Sequence, residues 1–250
     1  MDDGGIEWPE LVPGVLIRRY KRFLADILLE DGATATAHCP NSGAMASCCE
    51  PGRPVYLSVH NQPHRRLKYT WELIHMPGAM VGVNALVPNR LVQRSIAARR
   101  IRELDGYRDM VREVVVSPHT RLDLRLTDPD RPPCYVEIKN CTLVTGGRAM
   151  FPDAVTKRGL KHLEEMTRLA AGGSRCVMFY LIQRTDARRF EPADHIDPAY
   201  GKALRRAVDG GVEILAWDVA VDLHRIALRR PIPVRLSHGS SNIIHAKQAY

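Results

Sequence analysis

The chain has 250 residues, 45% apolar and 26% charged. That gives one to two domains with ample core and excludes a mainly disordered or collagen-like chain. Thirty-six Lys and Arg against 28 Asp and Glu leave a net charge of +8, an excess that lies beyond residue 85 and favours a polyanionic partner.

From Val15 to about Met76 the text reads as strands and turns: Val15 to Leu29 with a bend near Phe23, Ala33 to His38, Arg53 to His60 and Leu67 to Ile74. Pro, Gly, Asn and Ser punctuate the gaps, and no segment keeps a helical period. Five short strands in this length predict a small closed β-barrel of the OB type. Pro88 then opens a helix with Leu91, Ser95 and Ala98 at helical spacing. Three β-branched runs follow, Val111 to Val116, Arg121 to Thr127 and Cys134 to Lys139, the last two split by the turn cluster from Asp128 to Pro133. A helix is predicted over 153–171, closed by Gly172-Gly173, then a buried strand from Arg175 to Ile182, a helix from Pro198 to about Asp209 and a strand from Val212 to Trp217. The order αβββαβαβ predicts an α/β sheet. The expected division is a barrel domain over 1–82, an α/β domain over 83–236 and a polar tail over 237–250.

The residue pattern richest in chemistry is Asp123 on one strand with Glu137-Ile138-Lys139 on the next. Glu137 and Lys139 share a face of their strand. Positions 123 and 137 lie seven residues either side of a hairpin centred near Asp130, so a simple register sets the two carboxylates opposite one another, close enough to share a divalent ion. Oxygen donors of this kind suit Mg²⁺ or Mn²⁺, and Lys139 is placed to orient a water or offset charge on a phosphate. The bland alternative is a solvated pair on a half-exposed strand. A second candidate is the cationic and aromatic mixture in the barrel, Arg18, Arg19, Lys21 and Arg22, then Arg65, Arg66 and Lys68, which suits a nucleic-acid strand or simply guards a sheet edge. A third is Arg158 and His162, flanked by Lys157, Lys161 and Glu164; four apart, they share one helix face, which turns to phosphates near the acid pair or simply to solvent.

Several chemistries are excluded. No G-x-S-x-G elbow surrounds Ser42, and Gly146-Gly147 and Gly172-Gly173 form no phosphate loop, so no nucleotide cofactor is expected. The six cysteines (39, 48, 49, 134, 141 and 176) contain no C-x-x-C pair and read as buried thiols in a reducing compartment. Apolar runs of about seven residues, such as Cys176 to Ile182, fall far short of the roughly 18 to 20 that span a bilayer. The acidic, polar start from Met1 to Gly5 is no secretory signal, so the cytoplasm is expected and no membrane partner is.

Seven blocks, RRYKRFLAD from Arg18, HCPNSGAM from His38, YTWEL from Tyr69, PNRLV from Pro88, CYVEIKN from Cys134, FPDAVTKRGLKHL from Phe151 and GVEILA from Gly211, resemble the sugar fermentation stimulation protein A family. The resemblance spans nearly the whole chain. It implies an N-terminal OB-like barrel, a C-terminal PD-(D/E)xK nuclease-like domain, DNA binding and a regulatory link to sugar (maltose) metabolism. Asp123, Glu137 and Lys139 then occupy the nuclease-motif positions, with Leu122 in place of the motif's Pro. Such nucleases carry an acid on the first helix, where this chain has Gln93-Arg94; Glu103 and Glu113 are the alternatives. The expected function is DNA binding, with metal-dependent DNA hydrolysis as the second reading and a metabolic interaction protein as the third.

Overall fold

The computed structural model describes residues 2–236 and the backbone of 243–244; the rest of the expected polar tail lies outside the described residues. A two-residue strand, β1 (Ile6–Glu7), precedes the barrel strands β2 (Leu11–Tyr20), β3 (Leu24–Leu29), β4 (Thr34–His38), β5 (Pro54–Val59), β6 (Tyr69–Met76) and β7 (Ala79–Gly82). These six run β4-β3-β2-β5-β6-β7, and a parallel pairing of β4 with β6 at Ala37 and Tyr69 closes the barrel. Its interior is Leu16, Ile27, Leu57, Trp71 and Ile74, all buried. The bend expected near Phe23 is a tight hairpin, with Lys21 and Arg22 at left-handed φ of 48° and 62°. The unit is an OB-like barrel.

The second unit contains α1 (Val87–Ala97), β8 (Asp109–Ser117), β9 (Thr120–Asp128), β10 (Arg131–Cys141), β11 (Leu143–Thr145), β12 (Arg148–Phe151) and α2 (Lys157–Ala171). It continues with β13 (Arg175–Ile182), β14 (Arg189–Pro192), α3 (Pro198–Asp209), β15 (Glu213–Val221), β16 (Arg225–Pro231), β17 (Val234–Arg235) and β18 (Ile243–Ile244). The main sheet runs β1-β16-β15-β13-β10-β9-β8, and β11, β12, β14, β17 and β18 form a smaller one. The central strand β13 is buried on both faces, as its unbroken apolar run demands. Val177, Phe179 and Leu181 pack with Leu91 and Val92 of α1. Met178, Tyr180 and Ile182 face the other way, onto Leu163 and Met166 of α2 and Tyr200 and Leu204 of α3. The unit is an α/β fold with helices on both faces of a mixed seven-stranded sheet.

Three features depart from the sequence expectation. The first residues leave the barrel: Ile6 pairs with Ile226 at the edge of the main sheet. α2 starts at Lys157 rather than 153, because Thr156 caps it by accepting the Gly159 N–H at 3.0 Å while the Asp153 carboxylate accepts the Met45 N–H at 3.1 Å. The expected order also omits β16, which returns antiparallel beside β15, and the whole smaller sheet of β11, β12, β14, β17 and β18. Among the described residues no helix is long and apolar enough to cross a membrane. All six cysteines are free, five of them buried and Cys49 half-buried.

The stretch just after the HCPNSGAM block clasps the two units together through Ser47. Ser47 Oγ donates to the Thr142 carbonyl at 3.0 Å and accepts from the Val144 N–H at 3.1 Å and from the buried Arg184 guanidinium at 3.0 Å. Gly82 N–H adds a backbone bond to the Gln183 carbonyl at 2.8 Å. The barrel is thereby held against the end of the sheet that carries the acid pair.

Candidate metal and nucleic-acid site

β9 and β10 pair as Cys134 with Leu126, Tyr135 with Arg125 and Val136 with Leu124. The ladder stops one step short of Asp123 and Glu137, and the carboxylates take over where the strands part. Ile138 N–H donates to Asp123 Oδ2 at 2.7 Å, and Asp123 N–H donates to Glu137 Oε2 at 3.3 Å. The separation of the strands thus leaves no backbone donor unsatisfied there. From α1, Asn89 Nδ2 donates to Asp123 Oδ1 at 2.7 Å.

Two donors converge on the other oxygen of Glu137. Lys139 Nζ lies 2.6 Å from Glu137 Oε1, and His162 Nδ1, carried in by α2, makes a short contact with the same atom. Arg158 Nε donates to His162 Nε2 at 3.3 Å. That network assigns the ring proton to Nδ1, from which it is donated to Glu137. Glu137 and His162 are buried, and Asp123 and Lys139 are half-buried.

Burial and the neighbouring Glu137 charge push Asp123 up to about 7. Burial pushes Glu137 up too, but the Lys139 ammonium and the His162 hydrogen bond outweigh it and hold this carboxyl below its usual range. One acid is therefore ionised and its neighbour hovers near neutrality, a repulsion that a cation placed between them would relieve. The donor set fits a hard divalent cation: both acids offer oxygen, and the Asn89 side-chain amide beside them can supply another. Among the described residues no cluster of three or more His, Cys, Asp or Glu is arranged to hold a metal.

The structure thus brings Asp123, Glu137, Lys139, His162 and Arg158 into one constellation. It separates the barrel cations by role. Lys21, Arg22, Arg66 and Lys68 are exposed, and Lys68 lies over the Tyr69 ring at 5.4 Å. Arg18 pairs with Asp26 at 2.9 Å and stacks over Tyr20 at 5.0 Å, while Arg65 donates to Thr70 Oγ1 at 2.6 Å. Arg19 donates to the carbonyls of Arg22 at 2.9 Å, Asn41 at 2.8 Å, Gly43 at 2.9 Å and Ala44 at 3.3 Å, and so braces the HCPNSGAM loop.

Asn89 is a side chain of the candidate site that sequence reasoning missed. It sits in the PNRLV block, one turn before Gln93-Arg94, and that block was the available signal. Glu113 instead faces Arg121 at 3.4 Å, and Glu103 lies in the single 3-10 turn from Arg102 to Leu104. Buried Glu72 of the YTWEL block was missed as well; it accepts from Ser58 Oγ and Asn84 Nδ2, each at 2.7 Å.

Residues 86–225 match the sugar fermentation stimulation protein RE domain, and residues 17–83 match the SfsA N-terminal OB domain. The sugar fermentation stimulation protein homolog of Geobacter sulfurreducens is 50% identical over 224 residues, covering 90% of this chain and 96% of that one. Its counterpart from Acidithiobacillus ferrooxidans is 51% identical over 221 residues, covering 88% and 95%. Among solved structures, SfsA of Pyrococcus furiosus in complex with Ca²⁺ aligns with a TM-score of 0.85 at 26% identity, covering 92% of this chain and 98% of that one.

Proposed function

This chain belongs to the sugar fermentation stimulation protein family, and from the acid pair it carries we propose that it is a DNA-binding protein that hydrolyses phosphodiester bonds with a divalent metal ion, Mg²⁺ or Mn²⁺. The observation that carries this reading is the crossing of Asp123 and Glu137 at the point where β9 and β10 part, with Lys139 Nζ 2.6 Å from Glu137. The Ca²⁺ in the Pyrococcus furiosus complex supports divalent metal use by this fold. When bound, the ion supplies Lewis acidity to a phosphate oxygen.

The remaining steps fall to the chain's own groups. Asp123 and Glu137 would hold the ion, with Asn89 fixing the Asp123 rotamer through Oδ1. His162 and Lys139 pin the Glu137 carboxylate from the other side. Lys139 is the group placed to orient an attacking water and to offset charge developing on the phosphate. The exposed barrel cations Lys21, Arg22, Arg66 and Lys68 grip flanking backbone. We read the family's association with sugar use as regulation through DNA, exerted in the cytoplasm.

A second reading keeps DNA binding without cleavage. It is favoured by the first helix, which presents the amide of Asn89 to Asp123 rather than an acid. One experiment separates the two. End-labelled single-stranded and duplex DNA are incubated with the chain in Mg²⁺, in Mn²⁺ and in chelator, beside Asp123→Ala. Metal-dependent fragments lost in Asp123→Ala support hydrolysis. Intact DNA that is still shifted on a gel leaves the binding reading, and intact, unshifted DNA overturns both.

A further inference from the structure

A cleft of about 540 Å³ opens between the β8–β9 turn and the first turns of α2. One wall is His162, whose ring edge touches Glu137 on its far side. Lys157, Arg158 and Lys161 line it from α2 and Arg121 from β9, four cations against the single carboxylate of Glu113, which Arg121 engages at 3.4 Å.

The start of α2 is unfavourable on its own terms. A helix N-terminus carries partial positive charge and is stabilised by acids, yet the first turn here holds none and opens Lys157-Arg158. Lys157 and Lys161 are four apart on one face, where like charges repel. Thr156 caps only the Gly159 N–H, so the N–H groups of Lys157 and Arg158 have no partner within the helix. Local stability would favour glutamate at these positions. Cations gathered at a helix start, around a cleft, have their physical reason in an anion.

We propose that this cleft is a phosphate site, which holds a phosphate of a nucleic-acid strand next to the one presented to Asp123 and Glu137. The proposal rests on the hydrolase reading for its neighbour but not for its chemistry. One imidazole separates the cleft from the acid pair, so a strand lying in the cleft is delivered to the pair along its own backbone. The phosphate is either a terminal monoester or an internal diester, and both meet the same cations.

The test uses the full chain in chelator, where binding is read without cleavage. Fluorescence anisotropy follows a labelled single strand carrying either a 5′-phosphate or a 5′-hydroxyl, over a range of salt, for the parent, Lys157→Glu and Lys161→Ala. Each variant is expected to weaken binding at least tenfold and to flatten the plot of log affinity against log salt by about 0.7 for each phosphate no longer neutralised. A loss confined to the 5′-phosphate strand assigns the cleft to an end, and an equal loss on both strands assigns it to an internal phosphate. Unchanged affinity and slope on both strands overturn the proposal. Lys157→Glu should melt no lower than the parent, since glutamate suits the helix start better, which separates loss of a site from loss of the fold. Manganese binding, followed by calorimetry on the same variants, should be untouched. Its absence from the parent would defeat the hydrolase reading while leaving the cleft standing.

Discussion

Asp123 and Glu137 each close the strand that bears the other: the Glu137 carboxylate accepts the Asp123 N–H, and the Asp123 carboxylate accepts the N–H of Ile138, the residue after Glu137. Each acid is thus fixed by backbone and not only by side chains. Removing either one therefore leaves an N–H unpaired as well as removing a charge.

The first prediction concerns protons. Asp123 rises from 3.8 to about 7 on folding, so between those values the folded chain holds a proton that the unfolded chain releases. Stability contributed by this group is full below pH 4 and falls as pH rises toward 7, by a few kcal/mol at about 1.4 kcal/mol per unit. Asp123→Asn should abolish the fall. Urea unfolding in chelator at pH 5 and pH 8 measures it, and because other groups titrate too, the readout is the difference between the two proteins. A difference that does not grow with pH counts against the coupled pair.

With the proposed metal at the acid pair, the same proton would govern its binding. An ion must displace it, so affinity for Mn²⁺ should rise about tenfold per pH unit below 7 and level off above. Calorimetry in two buffers of different ionisation enthalpy counts the proton released. Glu137→Gln should reduce binding beyond detection, and a variant that binds as well as the parent would place the ion elsewhere.

Arginines of the barrel divide by role. Arg19→Ala removes a guanidinium that holds four carbonyls and should cost about 2 to 3 kcal/mol of stability. Arg66→Ala and Lys68→Ala should cost under about 0.5 kcal/mol while weakening DNA binding and its salt dependence. Thermal melts beside gel shifts test the contrast, and the reverse pattern would overturn it.

Ser47→Ala tests the clasp between the units. It strips partners from the Val144 N–H and the buried Arg184 guanidinium, a loss of about 1 to 3 kcal/mol. Hydrogen exchange should show faster opening at Thr142 to Val144. Protection equal to the parent's would mean that the barrel is held by other bonds.

The acid pair is legible in the sequence because hairpin register is arithmetic: a turn centred at 130 with period-two alternation leads to the pairing of Leu124 with Val136 and so to the neighbouring acids. The apolar run of β13 is equally legible, since a strand buried on both faces needs no alternation. Asn89 is not, because an amide in a helix's first turn has no chemistry until Asp123 is brought beside it. Arg19 reads as one of several barrel cations until the loop from Asn41 to Ala44 folds over it. The start of α2 is hidden for a related reason, as Asp153 is drawn away by Met45 from the other unit. Nothing local marks Ile6–Glu7 as a strand, since its partner lies at Arg225 and Ile226.

That last pairing has a consequence for how the molecule is made. The barrel can close as soon as its own strands leave the ribosome, but Ile6 and Glu7 must wait until β16, at Arg225–Pro231, has been translated to receive them. A fusion partner or trimmed start would bear on the far edge of the distal sheet rather than on the barrel beside it. Cutting the gene near residue 82 would leave β1 on the barrel piece and strip the main sheet of the strand at its β16 edge.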